Sequence, residues 1–273
     1  MERVVDPLAT KPSVLRTQSE TIAFAVMVAA LVIAPFLTYP LFLMQAMCFA
    51  LFGCAFNLLI GYVGLLSFGH ALYFGWASYL SAHAAKVWGF TPELAILTGT
   101  ATAAICGLVA GSLAIRRQGI YFSMITLALA QMMYFFALQA KFTGGEDGIQ
   151  AVPRGDLFGL IDLRNEMTMY AVVLIIFLAG LAGATKAIVF QLASLTDVTW
   201  QMSGEVVLMT LVGGLGTIFG PVVGALAILA MQYKLAPVGE WVLVIQGAIF
   251  VACVLLFRRG VVGEIAHFLK RSL

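Results

Sequence analysis

An all-α, polytopic membrane protein is the fold class this sequence predicts, on three observations. Only 10% of its 273 residues are Asp, Glu, Lys or Arg, against 62% hydrophobic, and the mean hydropathy is +1.02. Soluble domains carry about 25% charged residues, so no water-facing surface can be assembled from this inventory and lipid must be the main solvent. The apolar residues fall in runs close to the ~20 residues that a spanning helix needs. These runs lack the period-two alternation of barrel strands. About 8–9 hydrophobic segments with glycine-broken helices are expected in one continuous domain, because no polar stretch is long enough to fold alone.

The chain opens on a polar tail, residues 1–20, carrying Arg3, Lys11 and Arg16. An apolar run at 21–39 comes next. It has the outline of a signal peptide, but a second apolar run begins at once and no hydrophilic mature domain comes after it, so a retained first membrane helix is expected. The remaining runs are 41–60, 71–88, 94–115, 120–140, 167–190, 206–215, 218–231 and 241–257. The seventh and eighth runs are short and interrupted by glycine, a pattern that in transporters marks half-helices near a transport path. The longest hydrophilic run, 141–166, is punctuated by glycine and proline and reads as a loop. The expected organisation is a cytoplasmic N-terminal tail at 1–20, a transmembrane domain at 21–257 and a cytoplasmic basic tail at 258–273.

Lys and Arg positions orient the helices, since basic residues favour the cytoplasmic side. The N-terminal tail and the pair Arg116–Arg117 are separated by four runs, so both fit the cytoplasm, and 141–166 then falls outside. Arg258, Arg259, Lys270 and Arg271 want the cytoplasm again. Nine complete crossings would put them outside. Either one run does not cross or a crossing is missing.

Two constellations stand out. The first is Asn57, Gly61, Gly64, Ser67, Gly69 and His70, in a polar and flexible stretch between two apolar runs. Glycine permits a sharp break, and backbone groups freed inside a membrane must face protein or a wet cavity. A broken segment lining a translocation path and an ordinary tight turn at the membrane surface both fit. His70 fits either a proton relay or substrate ligand, or a capping and packing role. The second constellation is Gly213, Gly214, Gly216, Gly220, Pro221 and Gly224. The four-residue spacing of Gly216, Gly220 and Gly224 would put them on one helix face suited to close packing. Pro221 would kink that helix, a feature compatible with a gate or hinge.

Other motifs read more plainly. Thr143-Gly144-Gly145-Glu146-Asp147-Gly148 lacks EF-hand spacing and is expected to be a solvated outer turn. Gly107 and Gly111 form a small-residue pair suited to packing. Cys48, Cys54, Cys106 and Cys253 lie in apolar runs without a CxxC pair, which suggests neither zinc nor disulfides. The net charge of +2 is too small to argue for nucleic acid. No HExxH, GxSxG or Walker A pattern occurs, so no enzyme and no cofactor site is expected, and any ATP would be bound by partner subunits.

These constellations together resemble the LivM-type permeases of branched-chain amino acid ABC importers. The matching stretches are NLLIGYVGLLSFGHALYFGWASYLSAH at 57–83, RRQGIYFSMITLALAQM at 116–132 and TGGEDGIQAVPR at 143–154, then AGLAGATKAIVFQLASLTDVTWQMSGEVVLMTLVGGLGTIFGPVVGA at 179–225 and FRRGVVGE at 257–264. They cover most of the chain in the family's order. The resemblance implies a multi-pass protein of the bacterial inner membrane. Its implied partners are a second membrane permease subunit, two cytoplasmic ATP-binding subunits and a periplasmic substrate-binding protein. The implied substrates are branched-chain amino acids or related small polar solutes, and the two constellations would supply path or hinge elements.

One departure stands against the resemblance. Family members resemble one another in a charged cytoplasmic loop, read as the ATPase contact, between the helices that match 167–178 and 179–191. Here those pieces are joined directly near residues 178–180. Restoring such a loop would split 167–190 into two crossings and return the basic tail to the cytoplasm. Without it, 167–190 either spans once and inverts every later segment, or dips in and returns. Gly180 and Gly183 would sit at the bend, and Lys186 at bilayer depth would cost about 2.5–3.5 kcal/mol. Two further readings are open: an assembly-impaired or uncoupled permease, and a stand-alone membrane channel.

Overall fold

The computed structural model describes residues 14–179, 193–215, 217, 219–238, 244–248, 251, 260–262 and 264. Gly180, Gly183, Lys186, Gly216, Cys253 and the basic residues Arg3, Lys11, Arg258, Arg259, Lys270 and Arg271 lie outside the described residues.

The chain is an all-α bundle. Its helices are α1 (Val14–Ile33), α2 (Pro40–Asn57), α3 (His70–Lys86), α4 (Pro92–Ala114), α5 (Ile120–Gln139), α6 (Glu166–Ala179), α7 (Trp200–Gly213) and α8 (Gly220–Leu235). Pro residues open α2, α4 and α8 within their first two positions, where the missing N–H costs no hydrogen bond. Helices at Pro40–Gly61, Pro92–Ala114 and Ile120–Gln139 are long and apolar enough to cross a membrane, and Thr21–Phe36, Glu166–Leu178 and Gly220–Leu235 are shorter apolar helices. Each of the first eight apolar runs overlaps one of α1 to α8. Of the ninth, residues 244–248 and 251 are described as helical.

Burial ranks the helices. Within the first long span 61% of residues are buried, against 17% for α4 and 22% for α5. So α2 and the similarly buried α3 form the interior, with α2 packed against α6, α7 and α8, while α4 and α5 are more exposed. Met44, Phe56, Tyr79, Met209 and Val206 are fully buried in that interior.

The stretch 141–166 is a loop, as expected, but a tethered one. It contains short 3₁₀ turns and a two-residue hairpin, β1 (Asp156–Leu157) with β2 (Ile161–Asp162). Ile149, Val152 and Leu163 anchor it in the core. Thr143 is buried and its hydroxyl donates to the carbonyls of Ala137 and Ala140, closing the end of α5. Glu146 and Asp147 are exposed, so the glycine-rich turn is a solvated one.

Contacts sort the elements between two ends of the bundle. At the loop end, Lys86 Nζ donates to the carbonyl of Gln150 at 2.7 Å, Tyr170 donates to the carbonyl of Leu31, and Ile149 and Ala193 exchange backbone hydrogen bonds of 3.0 Å. At the other end Ser123 of α5 binds Leu66, Asn57 of α2 binds Thr217, and Gly260 is pressed against Gly214. Glu166 starts α6 at the loop end and Ala193 is back at that same end. The choice between the two options for 167–190 lies outside the described residues, and Gly260 lies with Gly214 at the end where α4 meets α5.

Two packing expectations are corrected. The 213–224 run is not one kinked helix. Gly214 at φ 125° and ψ 114° ends α7, and Pro221 starts α8 instead of bending it. A helix cannot continue through that conformation, and a proline ring is accommodated without strain in a first turn. A Cβ on Gly107 or Gly111 would meet nothing within 4 Å among the described residues, so neither glycine makes a close helix contact there.

Candidate site where the α2–α3 break meets the α7–α8 crossing

The helical path ends beyond Asn57 in a wide π turn, Leu58–Val63. Gly64 then adopts the left-handed conformation, φ 75° and ψ 17°, and lets Leu65 N–H return to the carbonyl of Leu59 at 3.2 Å. From Leu65 to Gly69 the backbone is neither helix nor strand. Gly61 and Gly64 are exposed, whereas Ser67, Gly69 and His70 are buried. The break therefore starts on the bundle's surface and enters its interior.

Side chains from two other helices satisfy the interior part. Ser123 Oγ of α5 donates to the carbonyl of Leu66 at 2.6 Å. Phe68 N–H donates to Thr126 Oγ1 at 3.2 Å, and Gly69 N–H donates to Ser67 Oγ at 3.2 Å. Ser203 Oγ of α7, fully buried, accepts from Ala71 N–H at 2.9 Å and so caps the first turn of α3. Irregular backbone within an apolar bundle persists only when protein or cavity water binds it, and here the binding groups are protein hydroxyls. Gly69 lies so close to α5 that a Cβ there would meet Thr126 at 3.1 Å.

His70, the first residue of α3, is 9% exposed. Its ring stands edge-on to Phe56 at 5.0 Å and to Tyr73 at 6.0 Å, with Phe52 at 6.5 Å, and its Nδ1 has no hydrogen-bond partner among the described residues. An imidazole among aromatic faces with an unused ring nitrogen has polar capacity that packing alone does not require.

The second constellation lies against the first. Asn57 Nδ2 donates to the carbonyl of Thr217 at 2.9 Å across 160 positions. Thr217 Oγ1 in turn donates to the carbonyl of Gly214 and accepts from Gly220 N–H, knotting the loop between α7 and α8. A Cβ on Gly53 would meet Pro221 at 3.2 Å. A Cβ on Gly213 would collide with the carbonyl of Gly220, and one on Gly224 with the carbonyl of Met209. The two helices thus touch backbone to backbone, an approach open only to small residues. Asn57, Gly213, Gly214, Gly220, Pro221 and Gly224 meet at this crossing, while Ser67, Gly69 and His70 lie, beside Thr126 of α5 and Phe56 of α2, in the buried part of the break. Gly61 and Gly64 lie at its exposed rim.

Sequence reasoning missed the bracing residues. Ser123 and Thr126 sit three apart on an otherwise apolar helix face, which was the available signal. Ser203 gave none beyond its polarity. Also unforeseen was the 3₁₀ turn Leu195–Val198, whose Ser194–Asp197 capping box buries Asp197 at 1% exposure. The turn presses on α3 where Gly75 leaves room, since a Cβ there would strike Val198 and Asp197. From the loop end at Ala193 the chain reaches the depth of Gly75 before α7 begins. α7 then begins at Trp200 and Gln201, both exposed.

The sequence pattern of the family described as "Branched-chain amino acid transport system / permease component" matches residues 38–159 and 164–254. The chain belongs to that family. It is 27% identical over 115 residues to the high-affinity branched-chain amino acid transport system permease protein LivM of Escherichia coli strain K12, covering 42% of this chain and 27% of that protein. It is 26% identical over 117 residues to LivM of Salmonella typhimurium strain LT2, covering 42% and 28%. The matched stretches span only about a quarter of the length of these relatives. No solved structure matches the chain. The family match includes α2, the break, α3 and the α7–α8 crossing, so the residues of the junction are family territory.

Proposed function

We propose that this permease-family chain is the membrane-spanning subunit of an ATP-driven importer for branched-chain amino acids or related small polar solutes. Its place would be the bacterial inner membrane, with the N-terminal tail cytoplasmic. It would work with a second permease subunit, two cytoplasmic ATP-binding subunits and a periplasmic substrate-binding protein. Such a subunit performs no bond chemistry. It supplies two conformations whose balance ATP binding on the partners shifts. The observation that carries the reading is the broken α2–α3 segment, held at its interior end by hydroxyls from α5 and α7. A discontinuity inside a bundle, stitched by a few replaceable hydrogen bonds, is the kind of element that can exchange partners as a path opens. Asn57, Gly61, Gly64, Ser67, Gly69 and His70 would face the path or its rim, and Gly213, Gly214, Gly216, Gly220, Pro221 and Gly224 would form the close-packed hinge beside it.

The test is uptake of labelled leucine, isoleucine and valine by cells lacking the permease gene and complemented with this chain, with all partner subunits present. Restored uptake is expected. Absence of uptake for these and for urea, amides and aromatic amino acids, with normal membrane accumulation, would overturn the reading.

A second reading is favoured by one observation, the direct joining of the flanking pieces near residues 178–180, where a charged ATPase-contact loop is expected. On that reading the subunit is uncoupled or impaired in assembly. Co-purification with the ATP-binding subunits separates the two: retention with substrate-stimulated ATP hydrolysis supports the importer, and loss of both supports the impaired form.

A further inference from the structure

We propose that the groove between α4 and α6 holds one acyl chain of an aminophospholipid whose ammonium headgroup meets the Glu93 carboxylate. This depends on membrane embedding of the two helices and goes beyond the transport reading. The groove encloses about 730 Å³, within the range of roughly 300–1,000 Å³ found for pockets that take small organic ligands. Leu97, Ala101 and Ala104 of α4 and Ile175 and Ile176 of α6 line its length. Glu93, Leu97, Ala101 and Ala104 succeed one another at helical spacing along a single stripe of α4. That stripe is about 16 Å long at the α-helical rise. Its alanines make the floor concave, so the form is long, narrow and apolar.

The hairpin roofs one end. Leu157 and Ile161 are directly paired across its two strands, so they share the face that lines the groove, while the Asp156–Asp162 pair takes the other face. Beside that roof, Phe158 N–H donates to Glu93 Oε2 at 3.4 Å, which holds the carboxylate at the rim. Among the described residues, Glu93 is the only charged one lining the groove.

Three features select the occupant. The groove opens between faces that look outward from the bundle: Leu97 is 65% exposed and Ile175 67%. In a bilayer those faces meet lipid. The carboxylate lies in the first turn of α4, at the end where the hairpin marks the edge of the apolar stripe, which is headgroup depth. A negative charge there attracts an ethanolamine ammonium and repels an anionic headgroup, whereas an apolar helix from another subunit would leave it without a counter-charge. Finally, the hairpin tip carries Phe158 and Leu160, the latter 88% exposed. An apolar tip beside the rim suits insertion into the interface, which would hold the mouth at that level.

The experiment is native mass spectrometry of the full chain purified from membranes that contain phosphatidylethanolamine and phosphatidylglycerol, with subsequent exchange against defined mixtures of the two. Wild-type protein is expected to retain one phosphatidylethanolamine, preferred over phosphatidylglycerol by up to about five-fold, as an exposed ion pair allows. Glu93→Gln is expected to keep a bound lipid but lose the preference. Ala101→Phe, which fills the groove, is expected to lose the lipid, and Leu113→Phe, on the side of α4 away from the groove, to retain it. A wild-type chain without bound lipid or without headgroup preference would overturn the proposal, as would Ala101→Phe that keeps its lipid. If Ala101→Phe fails to accumulate, Glu93→Gln decides alone, and an unchanged preference overturns the proposal. Cross-linking from Leu97→Cys to another membrane subunit in place of lipid also overturns it.

Discussion

Asn57 and Thr217, 160 positions apart, are joined by a 2.9 Å hydrogen bond from the Asn57 amide to the Thr217 carbonyl. The bond fastens the end of α2, where the chain breaks, to the loop in which α7 turns into α8. Asn57→Leu removes the donor while keeping the side-chain volume similar. Losing this part-buried bond should cost about 0.5–1.5 kcal/mol. A lower melting temperature in detergent, together with reduced leucine uptake, is expected. An unchanged melting temperature would mean that the junction does not depend on this bond.

The glycines divide into two groups that substitution should separate. Gly213→Ala and Gly224→Ala place a methyl on the backbone of the facing helix, so the α7–α8 crossing must open, at about 3 kcal/mol or more. Membrane accumulation should fall sharply. Gly107→Ala and Gly111→Ala meet nothing within 4 Å and remove glycine from a helix interior. They should leave the chain as stable or raise its stability by up to about 1 kcal/mol. Equal damage from both groups, measured by fluorescence-detected size exclusion, would contradict the packing described.

Ser203→Ala and Thr126→Val strip the acceptors from Ala71 N–H and Phe68 N–H. Each should cost about 0.6–2 kcal/mol in the membrane-protein context. Because both brace one backbone segment, the double variant should differ from the sum of the singles by at least about 0.5 kcal/mol. Thermal unfolding of the four proteins measures it, and strict additivity would show that the two braces act independently.

His70→Phe keeps a ring among Phe56, Tyr73 and Phe52 and discards the nitrogens. Folding should be retained within about 1 kcal/mol, since volume-conserving swaps are tolerated best. If the unused Nδ1 serves the path, uptake should still fall. Wild-type uptake by a normally accumulating His70→Phe protein would leave His70 a packing residue.

The two-ended arrangement is open to labelling. Glu146→Cys should react with an impermeant maleimide added to intact cells. Arg117→Cys and Glu264→Cys should react only after the cells are opened. Labelling of Glu264→Cys from outside would mean that Gly260 and Gly214 do not share the end that carries Arg117.

Helix class and approximate helix positions were legible because hydrophobicity and run length are local properties. The solvated turn at Glu146 and Asp147 was legible for the same reason. The prolines were harder to read. Pro221 signals a helix irregularity, but whether it kinks a helix or starts one depends on Gly214 seven residues earlier, whose left-handed-side φ is a tertiary outcome. Gly107 and Gly111 carry the same small-residue signal as Gly220 and Gly224, yet the two pairs differ completely in what they touch.

By itself, the sequence determined that this chain lives in lipid and that its polar and flexible residues gather in two constellations. Twenty-residue apolar runs have no other stable solvent, and polar groups among them are costly enough to be conspicuous. The tertiary structure alone decided that Asn57 of the first constellation is bonded to Thr217 within the second, that hydroxyls of Ser123, Thr126 and Ser203 hold the broken backbone, and that Ala193 lies at the end where α6 starts. These are contacts between residues far apart in the chain. They depend on how helices cross, and crossing is set by shape and by which backbones can approach, neither of which is written in any local stretch of sequence.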